Sequence, residues 1–323
     1  IKMRSDRLGF DSKGVLVLPE TDVDEIIERL VELTPGIVYI DSIQTLSAPD
    51  VLSGPGTVSQ VRECALRLLR WAKATSTPLI MSGHMTKDGS LAGPRTLEHM
   101  VDTVLYMDGD DRYDHRILRS AKNRFGATHE VGIFNMDSDG LKEVANPSEM
   151  FLAERSVDIP GTSIYPSLEG TRPILVEVQA LVSNANFGTP QRNVNGFDYK
   201  RLGMLIAVLE KRMELAMGAK DVFVNLVGGL RVDDPAADLS IICSTASSTM
   251  DNPIEENIVL LGEVGLAGEV RSISRLEHRL TEAETLGFKK AIVPAASVND
   301  KVKKIKIDLH PVKFVKDAFK ILF

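Results

Sequence analysis

A helix followed by a short apolar strand that ends in a carboxylate is the pattern that most constrains this fold. Residues 21–34, with Thr21 as the expected cap, carry an acidic first turn and apolar residues at helical spacing. The run Val38–Asp41 then has the character of a buried parallel strand. A helical pattern over 57–75 and an apolar strand at 78–83 continue the alternation. This order predicts a doubly wound α/β sheet in the first part of the chain.

A segment rich in Pro, Gly and Ser divides the sequence of 323 residues, a length that suits two domains. Before this segment, 114–121 and 130–136 have the pattern of paired strands, and after it the alternation of strands and helices restarts. We therefore expect a first domain over 1–150, a linker over 151–172 and a second, α+β domain over 173–323.

Composition excludes several classes of protein. The formal net charge of −7 means that DNA binding requires local basic patches, and the 5% aromatic content argues against extensive base-stacking surfaces. The two cysteines, Cys64 and Cys243, are too few for a disulfide framework or a cysteine-based zinc site within this chain. No window approaches the apolar length of a membrane span, so we expect no membrane association.

The strand that ends at Asp41 is the first candidate for chemistry. An apolar strand with a terminal Asp is typical of a Walker B strand, in which the carboxylate holds the water shell of a nucleotide-bound Mg²⁺. Asp also ends many strands simply as a cap of the following turn, and that alternative stays open. No GxxxxGK[ST] phosphate-binding loop occurs in this sequence.

Two basic or polar segments follow. His84 comes directly after the second strand, where a side chain can sense a phosphate or can simply satisfy a turn. In the segment Lys122-Asn-Arg-Phe-Gly126, Lys122 and Arg124 flank an Asn between two predicted strands. A Lys point charge and a planar Arg fork together suit a triphosphate supplied by a neighbouring subunit. The alternative is a solvated basic hairpin tip.

The sequence resembles the bacterial RadA/Sms family of recombination and DNA-repair proteins over essentially its whole length. The motifs that carry the resemblance are IDSIQT (40–45), VSQVRE (58–63), LAGPR (91–95), LEHMVDT (97–103), KNRFG (122–126), GTRP (170–173), LEKR (209–212) and GGLRVDDPAADL (228–239). The resemblance implies an α/β RecA-like partial core of the P-loop NTPase type, followed by an α+β Lon-protease-like domain. In that family a zinc ribbon and the Walker A half of the core precede the first matched residue. We therefore expect the sequence to be a fragment.

The resemblance also implies roles for individual residues. Asp41 would be the Walker B carboxylate that binds Mg²⁺ through water, with Ser42 beside it in the nucleotide site. Lys122 and Arg124 would enter the ATP site of the adjacent subunit, and His84 would couple the phosphate to DNA-binding loops. Lys87 and Arg95 would contact single-stranded DNA. The implied cofactors are ATP and Mg²⁺, with zinc only in the absent N-terminal part.

The second domain resembles the proteolytic domain of Lon, a serine–lysine peptidase. Ala236 stands where the family's nucleophilic Ser would be, and Glu277 falls at the place of the lysine. Because neither side chain can do that chemistry, the resemblance implies an inactive domain that serves as an oligomerisation platform with a DNA-facing side. The cations considered for that side are Arg192, Lys200, Arg201, Arg231, Arg271 and Arg275.

Taken together, the resemblance implies a DNA-dependent ATPase and ring helicase in recombinational DNA repair. It would act with RecA on single-stranded and branched DNA, promoting branch migration or unwinding, as a homo-hexamer in the bacterial cytoplasm at the nucleoid. Without a Walker A loop, the chain alone is predicted not to hydrolyse ATP. The alternative is a non-catalytic DNA-binding scaffold that uses nucleotide only as an assembly switch, and an ATP-dependent protease is disfavoured by Ala236 and Glu277.

Overall fold

The chain forms two compact units in the computed structural model. One comprises Ile1–Tyr106, Ser120–Thr128 and Ser138–Gly140, and the other comprises Met107–Arg119, His129–Asp137 and Leu141–Phe323. The structure describes residues 2–9, 11–84, 96–109, 114–128, 130–153, 155, 157–185 and 188–323.

The first unit contains the predicted alternation of helices and parallel strands. Its elements are α1 (Lys2–Leu8), α2 (Val23–Leu33), β1 (Val38–Ile40), a 3₁₀ turn (Ile43–Thr45), α3 (Val58–Thr75) and β2 (Leu79–Met81). Strands β1 and β2 pair in parallel, with Tyr39 opposite Ile80. The α2 helix is capped by Asp22 and not by the expected Thr21. The Asp22 side chain accepts hydrogen bonds from the backbone N–H groups of Asp24 and Glu25.

The core of the first unit lies between α3, α2 and one face of the short parallel sheet. Cys64 and Leu68 on α3 are fully buried, as is Val23 at the start of α2, and Val38 and Ile40 of β1 join the same cluster. Each fully buried side chain of this size contributes about 1.5–3 kcal/mol relative to exposure. This packing fixes β1 against α3 and so fixes the position of the residue that follows β1.

A four-stranded sheet of order β3-β4-β5-β6 follows. Its strands are β3 (Thr103–Gly109), β4 (His115–Asn123), β5 (Val131–Asp137) and β6 (Gly140–Glu143). Strands β4 and β5 pair antiparallel, with Ile117 opposite Ile133, as predicted from the sequence. The limits of the two units all fall within this four-stranded sheet, after residues 106, 119, 128, 137 and 140.

The second unit is built on a seven-stranded mixed sheet of order β15-β14-β11-β7-β8-β10-β9. These strands are β7 (Thr162–Glu169), β8 (Arg172–Asn184), β9 (Arg192–Asn195), β10 (Lys220–Leu226), β11 (Ile258–Leu260), β14 (Lys290–Pro294) and β15 (Asp308–Val312). A separate hairpin joins β12 (Glu263–Val264) to β13 (Val270–Arg271). The helices are α4 (Pro147–Leu152), α5 (Tyr199–Arg212), α6 (Asp238–Met250), α7 (Leu276–Thr285) and α8 (Val315–Leu322).

The segment expected as a linker, 151–172, differs from the prediction. It contains β7, which is a central strand of the large sheet and pairs with β8 on one side and β11 on the other. Pro166 and two serines give the segment the composition of a loop, but the strand is buried almost throughout. The Ser163 hydroxyl is satisfied by the Ser240 and Ser244 hydroxyls, at 2.6 Å each, which is why polar residues are tolerated there.

Both cysteines are free and fully buried, in agreement with the absence of a disulfide framework. Burial raises the pKa of the Cys64 thiol to about 11 and also raises that of Cys243. Among the helices formed by the described residues, none has the length and apolarity needed to cross a bilayer.

Candidate functional site

Asp41 follows β1 directly and exposes its carboxylate at the carboxyl end of the parallel pair. The hydroxyl of Ser82, at the end of β2, donates a hydrogen bond of 2.7 Å to Asp41 Oδ1. Backbone bonds hold the two strand ends together, since Ser82 N–H donates to Ile40 O at 2.9 Å and Ile43 N–H donates to Ser82 O at 3.0 Å. Ligands of open α/β sheets bind at this kind of edge.

Ser42, Gln44 and His84 lie around the same edge. Ser42 is buried, and its carbonyl accepts a hydrogen bond of 2.8 Å from Thr45 Oγ1. The Gln44 amide donates to the carbonyl of His84 at 3.1 Å, while the His84 side chain is exposed. Neither Gln44 nor Ser82 was predicted as a site residue. Their positions could have identified them, because Gln44 lies in the motif that follows β1 and Ser82 directly follows β2.

The two hairpin cations bind the same short segment of the first unit. Lys122 is half-buried, and its Nζ donates to Glu98 O at 2.6 Å and Val101 O at 2.8 Å. Arg124 is about half exposed and forms an ion pair of 3.0 Å with Asp102. Within this single chain, both hairpin cations therefore have partners among residues 98–102. Among the described residues, no hydrogen bond joins either cation to Asp41. Lys87 and Arg95 lie outside the described residues.

The Asp41 edge suits a nucleotide-bound magnesium ion better than a resident metal. Mg²⁺ binds through one or two carboxylates, several waters and substrate phosphates, and Asp41 supplies an exposed carboxylate already oriented by Ser82. Within the described part of the chain, no group of three or more His, Cys, Asp or Glu side chains could hold a metal ion. The residues present thus fit the metal side of such a site. The phosphate-binding loop is not in the sequence.

The cations considered for DNA in the second unit are not equivalent. Arg201 is bound through two hydrogen bonds to Asp238, which is fully buried at the start of α6. This bonding raises the pKa of the Arg201 guanidinium, so the side chain stays charged and committed to α6. Exposed Arg271 pairs with half-buried Glu269 at 2.6 Å, and exposed Arg231 pairs with exposed Asp233 at 3.1 Å. Arg275 donates to Gly170 O at 3.3 Å, Lys200 is exposed and Arg192 is half-buried on the edge strand β9.

The turn before α6, where the degenerate protease site was expected, contains half-buried Asp234 in an ion pair with buried Arg279. Ala236 is buried, and its N–H donates to Asp234 Oδ1 at 3.0 Å. Arg279, which is 1% exposed, forms an ion pair with Asp234 and also donates to the Tyr165 hydroxyl at 2.8 Å, and that hydroxyl donates to Asp234 at 2.9 Å. Burial works to raise the pKa of Asp234, but the charge of Arg279 and the Ala236 N–H outweigh it and lower that pKa. Glu277, the residue expected there, is half-buried in the first turn of α7.

These features define a mixed α/β protein with an exposed carboxylate at the end of a parallel strand and a second unit built on a large mixed sheet. Known proteins match it closely. The chain is 50% identical over 319 residues to the DNA repair protein RadA of Bacillus subtilis (strain 168), covering 99% of this chain and 70% of that relative. It is 47% identical over 320 residues to the RadA protein of Halalkalibacterium halodurans, with 99% and 70% covered. The RadA protein of Synechocystis sp. PCC 6803 is 45% identical over 324 residues, covering 95% of this chain and 64% of that protein.

A family described as subunit ChlI of Mg-chelatase also matches, over residues 198–297, which all lie in the second unit. The matches to RadA proteins extend over both units and decide the family. This chain belongs to the RadA family of DNA repair proteins. The predicted resemblance is confirmed, and the family supports a role in DNA repair.

Proposed function

We propose that this chain is the larger part of a DNA-dependent ATPase that acts as a ring motor in recombinational repair. The observation that carries the proposal is the Asp41 carboxylate, exposed at the end of β1 and oriented by Ser82 from the adjacent parallel strand. Asp41, with Ser42 beside it, would hold the Mg²⁺ of bound ATP, and the phosphate-binding loop would come from a segment outside this sequence. The chain alone would then not hydrolyse ATP.

The hairpin of Lys122 and Arg124 would act on the nucleotide of a neighbouring subunit. Its cations lie on a strand end that is anchored to residues 98–102, and neither is hydrogen-bonded to Asp41 within the described chain. A cation supplied from the next subunit stabilises charge during phosphoryl transfer, so hydrolysis would depend on assembly. His84 would couple the state of the site to DNA binding. The assembly that we propose is a homo-hexameric ring.

The second unit would be a Lon-like domain that has lost peptidase activity. Ala236 carries no hydroxyl, so the nucleophile is missing. The nearby cation, Arg279, is bound to Asp234 and to the Tyr165 hydroxyl and does not replace the lysine that activates a serine. The domain would serve assembly and DNA contact, with single-stranded and branched DNA as ligands and RecA as the partner recombinase. Lys200, Arg192, Arg231, Arg271 and Arg275 remain candidate contacts, whereas Arg201 serves the fold.

Hydrolysis by the full-length protein tests the motor. We would measure ATP turnover with and without single-stranded DNA for the wild type, Arg124→Ala and Lys142→Ala. Lys142 is a matched control because it is an exposed cation in an ion pair with Asp137 on the same four-stranded sheet. We expect a loss of at least about 10³-fold in turnover for Arg124→Ala, because such cations contribute about 10³–10⁵-fold, and little change for the control.

DNA-stimulated hydrolysis that survives in Arg124→Ala with rings intact would contradict the role of the hairpin. Absence of stimulation in a well-assembled wild type would favour the scaffold, in which nucleotide only switches assembly. Persistent cleavage of an unfolded protein substrate would instead support the hypothesis of an ATP-dependent protease.

A further inference from the structure

The turn between β14 and β15 carries a cluster of exposed lysines, flanked by Asp300 and Asp308. Residues 301–306 read KVKKIK, four lysines in six residues of a chain whose net charge is −7. All four lysines are exposed. Lys303 pairs with Asp300 at 3.4 Å between two exposed side chains, an interaction that contributes little. Among the described residues, the other three lysines form no ion pair.

The turn is a rigid support for these charges. Val302 is 1% exposed and Ile307 is 5% exposed, so the turn is anchored in the core at both ends. The Asn299 side chain accepts from the N–H groups of Lys301 and Val302 at 3.0 Å each. In a 3₁₀ turn, side chains three residues apart are eclipsed, so burying Val302 leaves Lys301 and Lys304 together on an outward side. The backbone of the turn is therefore already ordered before a ligand binds.

A fifth cation lies beside the turn. The Asp308 N–H at the start of β15 donates to Lys289 O at 2.9 Å, which places Lys289 next to the end of the lysine segment. Lys289 is exposed, while its neighbour Lys290 is paired with Glu255 at 2.6 Å. The surface therefore adds Lys289 to the four lysines of the turn.

The chemistry of this surface selects a phosphate backbone. Lysines are point charges that bind phosphates without fixed geometry. Single-stranded nucleic acid is usually held by aromatic side chains on which the bases stack, but residues 295–309 contain no Phe, Tyr, Trp or His. A surface with charge and no stacking group suits a ligand whose bases are already paired.

We propose that residues 301–306 form a binding site for the phosphate backbone of double-stranded DNA, separate from the loops that would contact single-stranded DNA. This proposal deepens the proposed function, because it assigns the duplex arms of a branched substrate to one surface of the second unit. It does not require ATP hydrolysis. The site is independent of sequence and is expected to be strongly dependent on salt.

The test measures binding of this chain to a blunt duplex of about 30 base pairs by fluorescence anisotropy, between about 50 and 200 mM KCl. The variant carries Lys→Gln at positions 301, 303, 304 and 306. The matched control carries Lys→Gln at 13, 73, 142 and 211, which removes the same charge from exposed positions elsewhere. A third protein carries Lys→Arg at the four turn positions and so keeps the charge. Circular dichroism confirms that each variant is folded.

We expect the turn variant to lose at least about tenfold in affinity for duplex, and the slope of log affinity against log salt to fall by about 3–4. The control and the Lys→Arg protein should stay within about twofold of wild type by the same counting of phosphate contacts. Equal weakening in the turn variant and the control would overturn the proposal, since net charge alone would explain it. Unchanged duplex binding would also overturn it, as would a loss confined to single-stranded DNA or to phosphatidylserine vesicles.

Failure of this proposal and failure of the motor can be told apart. Duplex binding is measured on this chain without nucleotide, whereas the motor is tested through Arg124 and turnover in the full-length protein. A turn variant of the full-length protein that keeps stimulation by single-stranded DNA but loses stimulation by branched DNA is the expected result.

Discussion

The hydroxyl of Ser82 donates a hydrogen bond of 2.7 Å to the carboxylate of Asp41, joining the ends of two adjacent parallel strands. A carboxylate that binds a metal through water needs a fixed orientation, and outer partners of metal-binding groups supply it. Ser82 is therefore expected to position Asp41 even though it touches no reacting atom itself.

Replacing this hydroxyl tests the relationship directly. Ser82→Ala should weaken binding of a Mn²⁺–nucleotide complex to the full-length protein by about 10-fold, the lower end of the effect of removing such partners. Electron paramagnetic resonance of bound Mn²⁺ measures this without turnover. Ser82→Thr keeps the hydroxyl and should restore binding. Equal Mn²⁺ affinity in Ser82→Ala and wild type would show that Asp41 needs no positioning partner.

Lys122 has a structural role that precedes any role in catalysis. Its Nζ binds the carbonyl oxygens of Glu98 and Val101, and its removal leaves both without this donor. Lys122→Ala should lower the free energy of unfolding by about 1–3 kcal/mol, as expected for charged hydrogen bonds. Arg124→Ala, which removes an exposed ion pair, should cost at most about 1 kcal/mol.

Urea denaturation followed by fluorescence or circular dichroism gives both values. If Lys122→Ala unfolds at the same urea concentration as wild type, the two carbonyl contacts contribute nothing in solution. The difference also has a practical consequence, because loss of hydrolysis in Lys122→Ala could reflect instability, and Arg124→Ala is the cleaner probe of the hairpin.

The sequence predicted the elements whose signal is local and periodic. The β1 strand with its terminal Asp41, the long α3 helix and the β4–β5 pair were all expected where they occur. The strand β7 was not, because Ser163 and Pro166 are typical of a loop, and Ser163 is satisfied by hydroxyls that come from α6, far along the chain. Polar residues that are satisfied only by distant partners cannot be recognised from their own segment.

The same limit applies to the site. Asp41 could be found from its position, but the partners of the cations could not. Nothing in the local sequence showed that Lys122 binds two carbonyl oxygens of residues 98 and 101, or that Arg201 binds the buried Asp238. The partner of a cation depends on residues that the fold brings together from distant parts of the chain. The charge of a residue alone therefore does not predict whether its side chain is free at the surface or bound within the protein.

The pair of Arg201 and Asp238 provides a quantitative prediction. Asp238 is fully buried and also accepts a hydrogen bond of 2.9 Å from the Val264 N–H. Arg201→Ala leaves that carboxylate buried without its cation and should cost about 3–5 kcal/mol in the unfolding of the second unit. Arg271→Ala, which removes an exposed guanidinium from half-buried Glu269 and Glu263, should cost at most about 1 kcal/mol.

Guanidinium denaturation monitored by circular dichroism compares the two variants. Similar small losses for both would mean that Asp238 gains enough solvent or other partners to remain stable. If Arg201→Ala folds normally but fails to bind DNA, the assignment of this residue to the fold is wrong.

Substitutions at two glycines with positive φ angles allow the effect of a steric clash to be measured apart from that of backbone strain. A Cβ at Gly161 would lie 2.1 Å from the carbonyl oxygen of Ala180, in the sheet of the second unit, whereas a Cβ at Gly188 would meet nothing within 4 Å. Both substitutions place Ala in the left-handed region, which costs about 1–2 kcal/mol. Gly188→Ala should show this cost alone. Gly161→Ala should lose at least about 3 kcal/mol, because backbone must shift as well. Thermal unfolding measures both, and equal midpoints would contradict the close approach of Gly161 to β8.

Glu177 on β8 should make the stability of the second unit fall as pH rises. Its side chain is 3% exposed, and burial raises the pKa of the carboxyl above 4.5, despite a hydrogen bond from Gln179 and the nearby charge of Arg155. The folded state therefore binds more protons than the unfolded state between pH 4.5 and the pKa of Glu177 in the folded state, and the free energy of unfolding decreases as pH increases through that range.

The side chain introduced by Glu177→Gln cannot ionise, so the stability of this variant should decline less over the same range and should exceed that of wild type near neutral pH. Urea unfolding from pH 4.5 to 7 checks both points. Parallel pH profiles for the two proteins would mean that Glu177 ionises without cost in the folded chain.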